Sequence, residues 1–340
     1  MARFTSLALV SAGMVALAGC ADTTSITAPS QAPAGSSTAQ ATAPHYGMVP
    51  VRGAQATRPL FGRTTGPTGA AVPTGNGINF HGGSVLLTTK VAAVYWAGTR
   101  IYNGGPTPGT TGAGSADGSL VGYVMGHLGG SPYFNINTTY TNAAGTAISN
   151  SVSYTQFWAN NSYNVPSSTA TVSDAQMLAM LQYAFNNGKL TYDANTLYNI
   201  FTTGNVNLGG GFGSQYCAYH SDGYVTVGGV SKHVLYSAEP YDYAQRNGCS
   251  AGYAAANGDA AADMEVSTLS HEIEETTTDP YGDGWWNSST GEENADQCAW
   301  TYGSTFATTY GTANITLGAK NFLIQQNWVN RSGGYCAKSY

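Results

Sequence analysis

Val91-Ala-Ala-Val-Tyr-Trp96 is an unbroken apolar run closed by Gly98, the pattern of a strand buried on both faces. Leu197 to Thr203 and His233 to Ser237 are β-branched and apolar and predict two further strands, and Ser151 to Trp158 alternates as a fourth. Ser119 to His127 fits a short helix. Ser173-Asp-Ala-Gln176 is a capping box, and Met177, Met180, Leu181, Ala184 and Phe185 follow at helical spacing until Gly188 stops them. The spacing of Val266, Leu269 and Ile273 predicts a longer helix over Asp259 to Thr278. It ends at Asp279-Pro280, because a residue before proline avoids the α region. The Gly/Pro/Thr-rich stretch 104–118 reads as loop. Helices and strands mix without regular alternation, so the expected class is α+β: one zincin-like domain over 77–340, a mixed sheet with a metal-carrying helix.

The remaining N-terminal part reads differently. Arg3 precedes an apolar run, Phe4 to Ala18, too short to span a bilayer, and Leu17-Ala18-Gly19-Cys20 has the form of a lipoprotein signal. Residues 1–19 are therefore expected to be removed and Cys20 acylated, which would anchor the chain to a membrane outside the cytoplasm. Residues 20–76 are rich in Ala, Ser, Thr and Pro without periodicity and read as a flexible tether. Its few apolar residues, Val49, Val51, Leu60 and Phe61, are candidates to dock on the domain.

Five cysteines less Cys20 leave four, and an even remainder in an exported chain implies two disulfides. Of the three pairings, Cys217–Cys249 and Cys298–Cys336 are expected because each closes a local segment. A four-thiolate zinc site is disfavoured, since no C-x-x-C pair exists. Only 9% of residues are charged, the net charge is −6 and no basic run occurs, which argues against a nucleic-acid partner.

Against that charge-poor background one segment stands out. Of 18 Asp and Glu residues, 11 lie between 259 and 296, with no Lys or Arg among them. Crowded carboxylates repel by a few tenths of a kcal/mol per helical pair, and a bound cation removes that cost. On the predicted helix, His271 and Glu275 are one turn apart and face away from Ile273, so both can reach one ion. This is H-E-x-x-H logic with a carboxylate as second ligand. Glu272 would stand beside the metal as general base. Glu293 and Asp296, 18 and 21 residues after Glu275, are candidates for the third ligand, with Glu293 preferred. Zinc is the expected ion, and calcium is the alternative built from the same oxygens.

Several short motifs resemble the Exordium (phosphate-induced protein) family, known chiefly from plant cell walls. Phe80-His81-Gly82-Gly83 and the strand ending at Trp96 resemble its opening Y-H-x-G and following strand. Cys217-Ala-Tyr-His220 resembles its C-G-F-H. Ser270-His-Glu-Ile-Glu-Glu275 with Asp279-Pro280, then Glu293-Asn-Ala-Asp296-Gln-Cys298, resemble its H-E-L-A-E helix and E-x-G-D-L-C stretch. The resemblance implies secretion and a cell-surface or wall-associated role. It favours His271, Glu272, Glu275, Glu293 and Asp296 over Glu274 and Glu292.

Other candidates carry less. His220 is read first as a histidine held by its neighbouring disulfide, and second as a cleft contact. His81 reads as structural. Gly248-Cys-Ser250-Ala-Gly252 is a formal G-x-S-x-G without the buried strand that motif needs. Two functional readings follow: a zinc-dependent hydrolase, most plausibly a peptidase, acting on a peptide or cell-wall substrate; or a non-enzymatic surface protein in which the same residues hold a structural ion.

Overall fold

A computed structural model describes residues 45–52, 77–251 and 255–340, with side chains from Met48 onward. The expected signal segment, Cys20 and most of the tether lie outside the described residues.

Twelve elements frame the site: β1 (His45–Pro50), β2 (Asn79–Phe80), β3 (Thr89–Trp96), β4 (Thr111–Ala113), α1 (Leu120–His127), β5 (Val152–Asn160), α2 (Asp174–Asn186), β6 (Thr196–Phe201), β7 (Tyr216–Val227), β8 (Val230–Glu239), α3 (Ala260–Thr278) and β9 (Trp285–Trp286). Seven strands make one mixed sheet in the order β1-β7-β8-β6-β3-β5-β4. The central β8-β6-β3-β5 run is parallel, while β7, β1 and β4 add antiparallel. The chain is thus α+β.

The apolar run of β3 is explained by burial on both sides. Val91, Ala93 and Tyr95 pack with α1 and α3, and Ala92, Val94 and Trp96 pack with α2. The capping box at Ser173 starts α2 as its residues require. At the start of α3, Asp259 accepts from the main-chain N–H of Ala262. The turn after α3 needs its glycines. Gly282 has φ +71°, and a Cβ on Gly284 would come within 2.3 Å of the Thr278 carbonyl.

Two expectations change, and the setting of α3 adds a third feature. The segment read as a tether contributes β1, which pairs antiparallel with β7 and also approaches α3. Val49, one of the proposed docking residues, is fully buried there. The stretch 104–118, read as loop, contains β4 and a 3-10 turn at Gly114–Ala116. Three residues with glycine at their centre leave no alternating pattern to read. Finally, α3 has no solvated face: every residue from Glu265 to Thr278 is buried. Leu317, Phe322, Ile324 and Val329 of the C-terminal segment join Val266, Leu269 and Ile273 in one buried cluster with the sheet and α1.

Disulfides join Cys217 to Cys249 and Cys298 to Cys336, the pairing expected from local closure. They place the folded chain in an oxidising, extracytoplasmic setting. Among the described residues, no helix is long and apolar enough to cross a membrane.

Candidate metal centre

A helix with polar residues buried all round must satisfy each of them. On α3 these groups separate into two sets by direction. Glu274 points toward Asn137 and Asn327, whose side-chain amides both donate to its Oε2, the second at 2.7 Å. His271, Glu272 and Glu275 converge instead with residues from β7 and from the segment after β9.

His271 and Glu275, one helical turn apart, meet at 2.9 Å from Nε2 to Oε1. Asp296 Oδ1 is 3.3 Å from the same nitrogen. The main-chain N–H of Asp296 donates to Glu275 Oε1 at 3.0 Å, and that of Glu293 donates to Asp296 Oδ2 at 3.1 Å, so the carboxylates lock one another. Of the two third-ligand candidates, Asp296 therefore closes the His271–Glu275 group. Glu293, preferred on sequence, lies instead beside His220, at 3.7 Å from its Nε2.

His220 enters from β7. Its Nδ1 is 3.1 Å from Glu272 Oε2 and 3.9 Å from Glu275 Oε2, and its Nε2 is 3.2 Å from the main-chain oxygen of Asp279. The two disulfides fix both incoming segments. Cys217 lies three residues before His220 and Cys298 two residues after Asp296. His81 makes its contacts elsewhere, stacked on Trp286 with ring centres 3.5 Å apart. The Glu292 carboxylate accepts from Thr290 and Gln297. Glu274 and Glu292, which the family motifs disfavour, are thus occupied by neutral donors.

The electrostatics are severe. His271, Glu272, Glu275 and Glu293 are 0% exposed and Asp296 7%, while no Lys or Arg among the described residues is buried. Burial works against a charge on His271, but Glu275 and Asp296 outweigh it and push its pKa up to about 10. Burial, and then the neighbouring acids Glu275, Glu239, Asp296 and Glu293, holds Glu272 well above the usual carboxylate range. The pocket thus demands positive charge. Two groups have the spacing of metal ligands: His271, Glu275 and Asp296, and His220, Glu272 and Glu275, each with donor atoms within 4.8 Å of one another. Gln325 steadies His271 from behind. Its amide nitrogen lies 2.7 Å from Nδ1 and donates to Ala295 O at 3.1 Å. A metal on Nε2 requires the ring proton on Nδ1, so Gln325 must then offer its oxygen.

Sequence reasoning did not single out Glu239, fully buried at the end of β8. Burial raises its pKa to about 8, against the pull of Ser237 and His271. Its ordinary value is 4.5. The folded state therefore holds a proton here that the unfolded chain releases, so the contribution is full below about pH 4.5 and is lost as pH rises toward 8. Across that window the metal-free protein should lose stability through this group as pH rises. Glu239→Gln should flatten the slope in urea unfolding between pH 5 and pH 8, and an unchanged slope refutes the assignment.

The model of the phosphate-induced protein 1 conserved region matches residues 130–320, which is 191 of 340 residues and includes β7, α3 and every residue of both ligand groups. No curated protein and no solved structure matches the chain. With more than half its length matched, including the strand and helix that build the buried acid centre, this chain belongs to the phosphate-induced protein 1 family.

Proposed function

We propose that the protein is an exported, envelope-anchored member of this family whose α3 carries a tightly held divalent metal ion, zinc, on His271, Glu275 and Asp296. One observation carries the reading: an imidazole nitrogen and two carboxylate oxygens converge at 2.9 and 3.3 Å in a buried pocket, and no Lys or Arg among the described residues is buried beside them. Ligands sharing a tetrahedral ion at ~2.0–2.2 Å stand roughly 3.3–3.6 Å apart, and these separations lie at or just below that range, so the donors need move apart only by a few tenths of an ångström to admit the ion. The imidazole favours zinc over calcium, which takes oxygen ligands. Structural zinc sites are closed, whereas catalytic ones keep a position open for water. Full burial of the donors thus supports a structural ion in a surface or wall-associated protein, held to the envelope through Cys20.

A zinc-dependent hydrolase is the second reading, favoured by Glu272, which sits next to His271 on the same helix with Oε1 lacking a hydrogen-bond partner. Turnover then requires the centre to open, and β1 approaches both α3 and the Asp296–Cys298 turn. Elemental analysis of protein purified without chelator should find zinc in the wild type and its loss in His271→Ala. A metal-free wild type overturns the reading. Glu272→Gln separates the two roles: a peptidase keeps zinc and loses turnover of peptide substrates, whereas a structural centre has no turnover to lose.

A further inference from the structure

We propose that Glu275 bridges two divalent cations, one bound by His271 and Asp296 and the other by His220 and Glu272. This rests on the metal-binding reading above and extends it from one ion to two.

Geometry is the first argument. The two imidazoles arrive on different elements and face opposite oxygens of one carboxylate. His271 Nε2 is 2.9 Å from Glu275 Oε1, and His220 Nδ1 is 3.9 Å from Glu275 Oε2. Each half then gains a second carboxylate of its own, Asp296 at 3.3 Å from His271 and Glu272 at 3.1 Å from His220. A carboxylate with each oxygen turned to a separate set of donors is the arrangement of a two-metal site, whose ions lie ~3.5–4 Å apart.

The second argument is the placement of His220. Its Nε2 faces the main-chain oxygen of Asp279, which can only accept, at 3.2 Å, and its Nδ1 faces Glu272 Oε2 at 3.1 Å, a gap that a cation or a proton fills. Donation of the other ring N–H to a backbone carbonyl is also how metal-bound histidines are held. Glu272 Oε1, on a side chain 0% exposed, has no hydrogen-bond partner and offers a further electron pair to a cation.

In this arrangement Glu272 is a ligand rather than a free base, so the second ion also decides between the roles that residue can play.

The test uses the full chain, stripped and reloaded with Mn2+, with metal counted by elemental analysis and coupling read by electron paramagnetic resonance. The wild type should bind two ions with an exchange-coupled multiline spectrum. His220→Ala should bind one, with the six-line spectrum of isolated Mn2+. One ion in the wild type, retained in His220→Ala, overturns the second site and leaves the first standing. No ion in the wild type overturns the metal reading itself. Two ions without coupling place the second elsewhere and also refute the bridge. Should His220→Ala fail to fold, the wild-type count and spectrum alone decide, with His220→Gln as the milder variant.

Discussion

Stripping the protein with a strong chelator is expected to lower its melting temperature by ~5–10 °C, and returning zinc should restore it. An ion present at ~100 times its dissociation constant stabilises the state that binds it by ~2.7 kcal/mol. For a domain of this size each kcal/mol moves the midpoint by ~2–4 °C. The sign follows from the pocket: carboxylates of Glu272, Glu275, Glu293 and Asp296 are buried together, and an added cation offsets their mutual repulsion. Asp296→Asn should shrink the chelator effect by removing one donor while keeping the side chain's volume. Identical melting curves with and without chelator would leave the acid cluster without a bound ion, and the metal reading would fail at its root.

The pattern of apolar positions located β3, β5, β6, β8 and all three helices, because each of these buries a face whose spacing survives in the sequence. It missed β7, and the reason is instructive. Tyr216 to Val227 runs through His220, Ser221, Asp222 and Gly223, and four such residues in a row erase an alternating signal. They are tolerated because one face of β7 lies against the polar side of α3, while Tyr216, Tyr219 and Val225 pack with α2. The strand carrying a candidate ligand was thus hidden by the residues that make it one. β1 was hidden differently. Its one strong core contact, Val49, sits in a low-complexity stretch, and pairing with β7 is a tertiary fact that no local pattern records. Within the centre, the concentration of acids and the helical spacing of His271 and Glu275 were legible. What the sequence could not rank were residues equal in type and near in position. Glu293 and Asp296 differ only in which main-chain N–H each turn presents, and Glu274 and Glu275 only by a ~100° rotation about the helix axis.

That last rotation gives the sharpest contrast among substitutions. Glu274→Ala should destabilise the protein by ~3–5 kcal/mol, whereas Glu274→Gln should cost little or stabilise it. Glu274 Oε2 accepts from both Asn137 and Asn327, tying α3 to the 3-10 helix Phe134–Thr139 and to the hairpin strand Asn327–Val329. Alanine leaves two buried amides without an acceptor and a cavity beside them, each amide costing ~1–3 kcal/mol. Glutamine keeps an acceptor oxygen for the two amides and removes a carboxyl whose pKa burial already holds well above its usual range. Its amide nitrogen then takes the place of Oε1, which has no hydrogen-bond partner, so no existing bond is lost. Denaturant midpoints measured on both variants, with metal content determined in parallel, separate this structural carboxylate from its neighbour. Glu275→Gln should lose metal, and Glu274→Gln should keep it. Loss of metal in Glu274→Gln would place this carboxylate in the centre and undo the division of α3 into a ligand face and a structural one.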